Sequence, residues 1–155
     1  MLRDVDSATI EASALAPSAS GRASPEQHPL ILLIEDDNAI RESVGELLES
    51  EGFAFVSAGN GRDALELLKR GVRPALILLD LTMPVMDGWD FRQAQLQDET
   101  FRSIPTMVLT AAGFSRETIR LQFGAVDFVR KPVAPSELLA VLNRTCYRGP
   151  FASAI

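Results

Sequence analysis

Five short apolar runs recur along the chain, and each gives way to residues spaced as on a helix. The runs are Leu30-Ile31-Leu32-Leu33-Ile34, Phe53 to Val56, Leu76 to Leu79, Pro105 to Leu109 and Val126 to Val129. None is long enough to span a bilayer, and none alternates apolar with polar, so they read as strands buried on both faces. Between them, Ile40, Val44, Leu47 and Leu48 fall at helical spacing, with Asn38 as the expected cap and Gly52 as the stop. Ala64, Leu65, Leu67 and Leu68 form a second helix from a cap at Asn60 to a stop at Gly71, and Trp89 to Leu96 form a third. Ile119, Leu121 and Phe123 mark a short fourth helix, and Pro135 to Tyr147 a fifth, with Pro135 in its first turn. Strands alternating with helices require a parallel sheet covered on both sides. Crossovers are right-handed and five units are too few to close a barrel, so the expected class is an α/β doubly wound five-stranded sheet.

The 29 residues before the first strand have another character. Six Ala, five Ser, three Pro and one Gly occupy fifteen of them, and the apolar residues are scattered. Such a segment cannot bury enough surface to offset the entropy of ordering it, so 1–29 is expected to be a flexible tail. Residues 30–147 form the domain and 148–155 a short C-terminal tail. A net charge of -6 argues against a nucleic-acid partner or an anionic membrane surface. The single cysteine, Cys146, cannot form an internal disulfide, and no secretory signal opens the chain, so the expected location is cytoplasmic.

The polar residues that follow the strands carry the chemistry. Glu35 and Asp36 follow the first, Asp80 the third, Thr110 the fourth and Lys131 the fifth. In an open α/β sheet ligands bind at the carboxyl ends of the strands, so all five belong to one edge. Each alone has an ordinary reading: Asp80 as a turn residue, Thr110 as a cap, Lys131 as a solvated charge, Glu35-Asp36 as a helix-start pair. Together they are more specific. Three crowded carboxylates repel one another and are incomplete without a cation, and an all-oxygen donor set suits Mg²⁺ or Mn²⁺ better than zinc. A cation, a lysine and a hydroxyl can hold the oxygens of a phosphoryl group while a carboxylate oxygen of Asp80 attacks phosphorus in line.

Taken in order, Leu33-Ile34-Glu35-Asp36-Asp37, Asp80 with Met83-Pro84 and Asp87-Gly88, Thr110-Ala111, Gly124-Ala125 and Lys131-Pro132 resemble the receiver domain of two-component response regulators. The resemblance covers roughly Leu30 to Tyr147 and implies the flavodoxin-like (βα)5 fold with strand order 2-1-3-4-5. It implies Asp80 as phosphoacceptor, Asp36 and Asp80 as direct Mg²⁺ ligands with the backbone carbonyl of Thr82, and Glu35 as the outer acidic residue. Lys131 would pair with Asp80 and then with the phosphoryl group. Thr110 would be the switch hydroxyl, and Phe128 the aromatic that turns into the space it vacates. Asp37 matches no family role and reads as solvated.

The expected function is a stand-alone response regulator. It takes a phosphoryl group from a histidine kinase or histidine phosphotransfer protein and acts on a downstream output protein through helix 4, strand 5 and helix 5. It turns over no separate substrate. The alternatives are a degenerate receiver acting independently of phosphorylation and a phosphohydrolase of the haloacid dehalogenase kind. The latter family wants a second Asp where Thr82 stands.

Overall fold

The computed structural model describes residues 29–111, 114–124 and 127–146. The five strands are β1 (Leu30–Ile34), β2 (Ala54–Ala58), β3 (Leu76–Asp80), β4 (Thr106–Thr110) and β5 (Asp127–Arg130). The helices between and after them are α1 (Asn38–Ser50), α2 (Gly61–Lys69), α3 (Gly88–Gln97), α4 (Arg116–Phe123) and α5 (Pro135–Cys146). All neighbouring strands pair in parallel, in the order β2-β1-β3-β4-β5. This is the doubly wound sheet that the apolar runs demand.

Continuous apolar runs are needed because both faces of the sheet are covered. Leu32, Ile34, Ile77, Leu79 and Val108 pack on one face against Leu67 and Leu68 of α2, Phe91 of α3, and Ile119 and Phe123 of α4. Ile31, Leu33, Leu76, Leu78, Met107 and Leu109 meet Val44 and Leu48 of α1 and Leu138, Val141 and Leu142 of α5 on the other. Each such Leu or Ile contributes about 2 kcal/mol by leaving water. Of the interior strands, β1 is apolar throughout and β3 is apolar up to Asp80 for that reason.

Several boundaries differ from the sequence expectation, each for a local reason. The cap of α1 is Asp37 rather than Asn38: its carboxylate accepts from the Ile40 backbone N at 3.0 Å, and Asn38 is already helical. Asp37, read from sequence as merely solvated, thus satisfies one of the orphan donors of the first turn. Leu121, counted on the apolar stripe of α4, is 76% exposed, because Ile119 and Phe123 alone point into the core. Phe53 lies just before β2, which runs on to Ala58; β5 is described from Asp127, and Val126 lies outside the described residues. As an edge strand, β5 exposes Asp127 and Arg130 and fully buries only Val129. The glycine stops hold: Gly52 and Gly71 follow α1 and α2 with φ of 88° and 110°, a conformation that only glycine adopts without penalty. Pro29, expected in the tail, is instead buried, and its carbonyl accepts from Ala54 N, so it packs as part of the domain. The rest of the expected N-terminal tail, His28 included, and Tyr147 with the C-terminal tail lie outside the described residues.

Candidate functional site

Parallel register brings the strand ends to one edge. Ile34 aligns with Leu79, Asp80 with Leu109, and Thr110 with Arg130. Glu35 extends β1 by one further bond, its N donating to Ala58 O at 3.0 Å, and Lys131 N donates to Thr110 O at 2.8 Å. The structure therefore gathers Glu35, Asp36, Asp80, Thr110 and Lys131, from four separate segments, at the carboxyl edge of the central strands.

Lys131 is the hub of the site. Its Nζ donates to Asp80 Oδ1 at 3.0 Å and lies 2.9 Å from Glu35 Oε1. The second contact is an ion pair, and among the described residues it is the one polar contact of the buried Glu35 Oε1. Carboxylate oxygens of Glu35, Asp36 and Asp80 lie within 4.8 Å of one another. Glu35 and Asp80 are buried and Asp36 is exposed, so the trio opens to solvent on one side.

Burial without enough compensation shapes the electrostatics. Burial pushes the Glu35 carboxyl up to about 7; the charge of Asp80 adds to this, while Lys131 and the Asp37 backbone N–H pull it back. Asp80 is raised for the same first reason, against the pull of Lys131 and the Thr82 N–H. Burial works against the Lys131 ammonium, but its two carboxylate partners more than offset this and raise it. One cation shared by two buried carboxylates leaves an excess of negative potential. Oxygen donors at this separation, with an open side, fit a hard divalent cation that retains water.

The loop from Leu81 to Asp87 holds the phosphoacceptor candidate in place. Gly88 N donates to Leu81 O at 2.9 Å, Gly61 N ties Met86 O to α2, and the Asp87 carboxylate caps α3 by accepting from Asp90 N. A side chain at Gly88 would meet the backbone of Asp80 and Leu81, so α3 can pack against the end of β3 only with glycine there. Thr82 N approaches Asp80 Oδ1 at 3.4 Å. Thr110 is fully buried, and its hydroxyl donates to Ala111 O at 3.0 Å rather than to the carboxylates. Phe128 is half-buried, with the guanidinium carbons of Arg116 and Arg130 at 5.0 and 5.5 Å from its ring centre. It lines a groove with α4 and α5.

Two features are invisible in the motif spacing. Arg41 Nη1 donates to Glu35 O at 2.6 Å, and its Nη2 bonds Asn38, bracing the β1–α1 turn. Arg92, Gln95 and Thr106 form a buried polar network at the other end of the sheet. An Arg and a Gln on an otherwise amphipathic helix look solvated until the packing is known.

Against this geometry, a family model of the response regulator receiver domain matches residues 31–143. The chain belongs to the receiver domain family of response regulators. It is 37% identical over 120 residues to response regulator Rre1 of Synechocystis, a match that covers 76% of this chain and 52% of that protein. It is 34% identical to a 14.6 kDa protein of Leptolyngbya boryana, covering 77% and 92% of the two. The receiver domain of the Pseudomonas aeruginosa sensor histidine kinase PA1611, solved with a magnesium ion coordinated in its active-site cleft, superimposes with a TM-score of 0.70. It shares 29% identity, over 77% of this chain and 98% of that one. The chain spans about half the length of several curated relatives, Rre1 among them. Receiver domains are signalling modules that partner with histidine kinases or phosphotransfer proteins and with output domains, not substrate-turnover enzymes. Among the described residues no helix is long and apolar enough to cross a membrane.

Proposed function

We propose that this receiver domain accepts a phosphoryl group on Asp80. The observation that carries the reading is Lys131 Nζ, shared between buried Asp80 and Glu35 with Asp36 alongside. A carboxylate oxygen of Asp80 attacks the phosphorus of a phosphohistidine donor in line; the P–N bond breaks, the imidazole leaves, and an acyl phosphate forms on Asp80. Lys131, already against Oδ1, follows the new charge onto the phosphoryl oxygens. Asp36, Asp80 and the Thr82 carbonyl would hold Mg²⁺ (or Mn²⁺) directly, with Glu35 reaching it through water. Bound there, the ion neutralises the acidic set and the transferring phosphoryl group.

The same reading makes Thr110 and Phe128 the switch. Thr110 must give up its bond to Ala111 O to reach a phosphoryl oxygen, and the half-buried ring of Phe128 is placed to follow it inward. Movement of that ring changes the surface of α4, β5 and α5, biasing a two-state equilibrium that a separate output protein reads. A cytoplasmic, single-domain role with a histidine kinase or phosphotransfer donor is part of this proposal.

Incubation with acetyl phosphate and Mg²⁺, followed by intact mass, tests it. One acid-stable, base-labile phosphoryl adduct is expected, absent in Asp80→Asn and weakened in Lys131→Ala. An unmodified wild-type protein, or an adduct that survives Asp80→Asn, overturns the assignment.

A further inference from the structure

A second charged group is buried far from the carboxylates, at the amino edge of the sheet. Arg92 on α3 is only 8% exposed, yet among the described residues it has no carboxylate partner. Its Nη1 donates to Gln95 Oε1 at 2.9 Å and Thr106 Oγ1 at 3.1 Å, and its Nη2 to the Phe123 carbonyl at 3.0 Å. All three acceptors are neutral. Among the described residues its Nε is buried and has no hydrogen-bond partner. Burial alone holds the guanidinium below its ordinary pKa, with no anion restoring it. A buried guanidinium left without a counter-charge costs several kcal/mol, and a buried N–H left unpaired costs about 1–3 more. The hydroxyl and amide neighbours do not settle that charge.

Arg92 also lines a cavity of about 270 Å³, together with Arg102, Ser103, Thr106 and Thr145. Two arginines and three hydroxyl-bearing residues thus line one small space. The remaining charged residue there, Asp127, already accepts from Arg144 at 3.3 Å. The cavity opens among the first residues of β3, β4 and β5, at the opposite edge from Asp80. Its size excludes a folded partner and suits a molecule of a few heavy atoms.

We propose that this cavity is a binding site for a small free oxyanion, of the phosphate class, with Arg92 and Arg102 as its cationic walls. The anion supplies the missing counter-charge, and the planar fork of a guanidinium matches two of its oxygens. Because Arg92 also holds the last carbonyl of α4, occupancy would steady that helix, and by linkage any state that moves α4 would alter anion affinity.

The test is a titration of the full chain with inorganic phosphate in EDTA, so that the acidic site stays out of the reaction. The reporter is the Arg92 Nε–H resonance, which burial keeps from fast exchange. A saturable shift of that resonance is expected, weakened about tenfold or more in Arg102→Glu, whose exposed side chain leaves the buried network intact. Arg92→Lys, refolded and checked by its amide spectrum, should also lose the saturable response at the neighbouring Thr106 and Phe123 amides. A linear, unsaturating shift, or the same affinity in Arg102→Glu, overturns the proposal.

Discussion

Gly88→Ala measures how closely the third helix is built onto Asp80, the proposed phosphoacceptor. A Cβ at Gly88 would lie 2.8 Å from Leu81 Cα and closer still to the Asp80 carbonyl oxygen. Both are backbone atoms at the end of a central strand, so neither can swing aside as a flexible side chain would. Either α3 must back away, losing the 2.9 Å bond from Gly88 N to Leu81 O, or the end of β3 must shift. Overpacking of this kind costs about 1–3 kcal/mol. Alanine's better helix propensity returns up to about 1 kcal/mol. The expected net loss is about 1–2 kcal/mol, or roughly 4–8 °C in Tm for a domain of this size. Because the displaced atoms belong to Asp80, phosphorylation by acetyl phosphate should slow by about tenfold or more, in keeping with the sensitivity of aligned reactions to small misplacements. Gly59→Ala is the control: its Cβ would meet only Arg41 Nη1, at 3.8 Å, and should change stability by less than about 0.5 kcal/mol. Urea unfolding and adduct formation followed in parallel decide it. A Gly88→Ala protein as stable as wild type and phosphorylated at the same rate would refute the reasoning.

Three further outcomes follow from the same structure. Asp37→Ala should lose about 1 kcal/mol by uncapping α1 while still accepting a phosphoryl group on Asp80; chemical denaturation with a parallel adduct assay checks both halves. Mg²⁺ at about a hundredfold over its Kd should stabilise the protein by about 2.7 kcal/mol, and a shift of equal size in Asp36→Asn would remove that residue from the site. Burial pushes the half-buried Cys146 thiol up to about 11, so labelling by a thiol reagent should be slow at pH 8 and rise about tenfold per pH unit up to pH 10. A raised acid is more protonated folded than unfolded, so this group's stabilisation is complete below the ordinary value of 9.0. It is lost as pH rises through about 11, and a labelling rate that levels off near pH 9 would contradict it.

The sequence by itself determined the class of fold and which polar residues gather at the carboxyl edge of the sheet. Apolar runs of strand length without alternation, separated by helical spacing, admit a parallel sheet and little else, because only a sheet covered on both faces buries every residue of such a run. Parallel strands share one carboxyl edge, so Glu35, Asp36, Asp80, Thr110 and Lys131 were bound to meet there wherever the helices settled. What tertiary structure decided is whatever depends on distance and burial. Sequence could not choose between Asp37 and Asn38 as the cap of α1, since both are good cap residues and only backbone geometry separates them. Nor could it place Leu121 in solvent, because a short helix at a sheet margin buries a narrower stripe than its apolar residues suggest. The buried Glu35, whose proton affinity rises because the fold takes its carboxyl out of water, and Arg92, without a carboxylate partner among the described residues, are also products of packing. A side chain's charge is written in the sequence, but the cost of that charge depends on how much water the fold has removed from it.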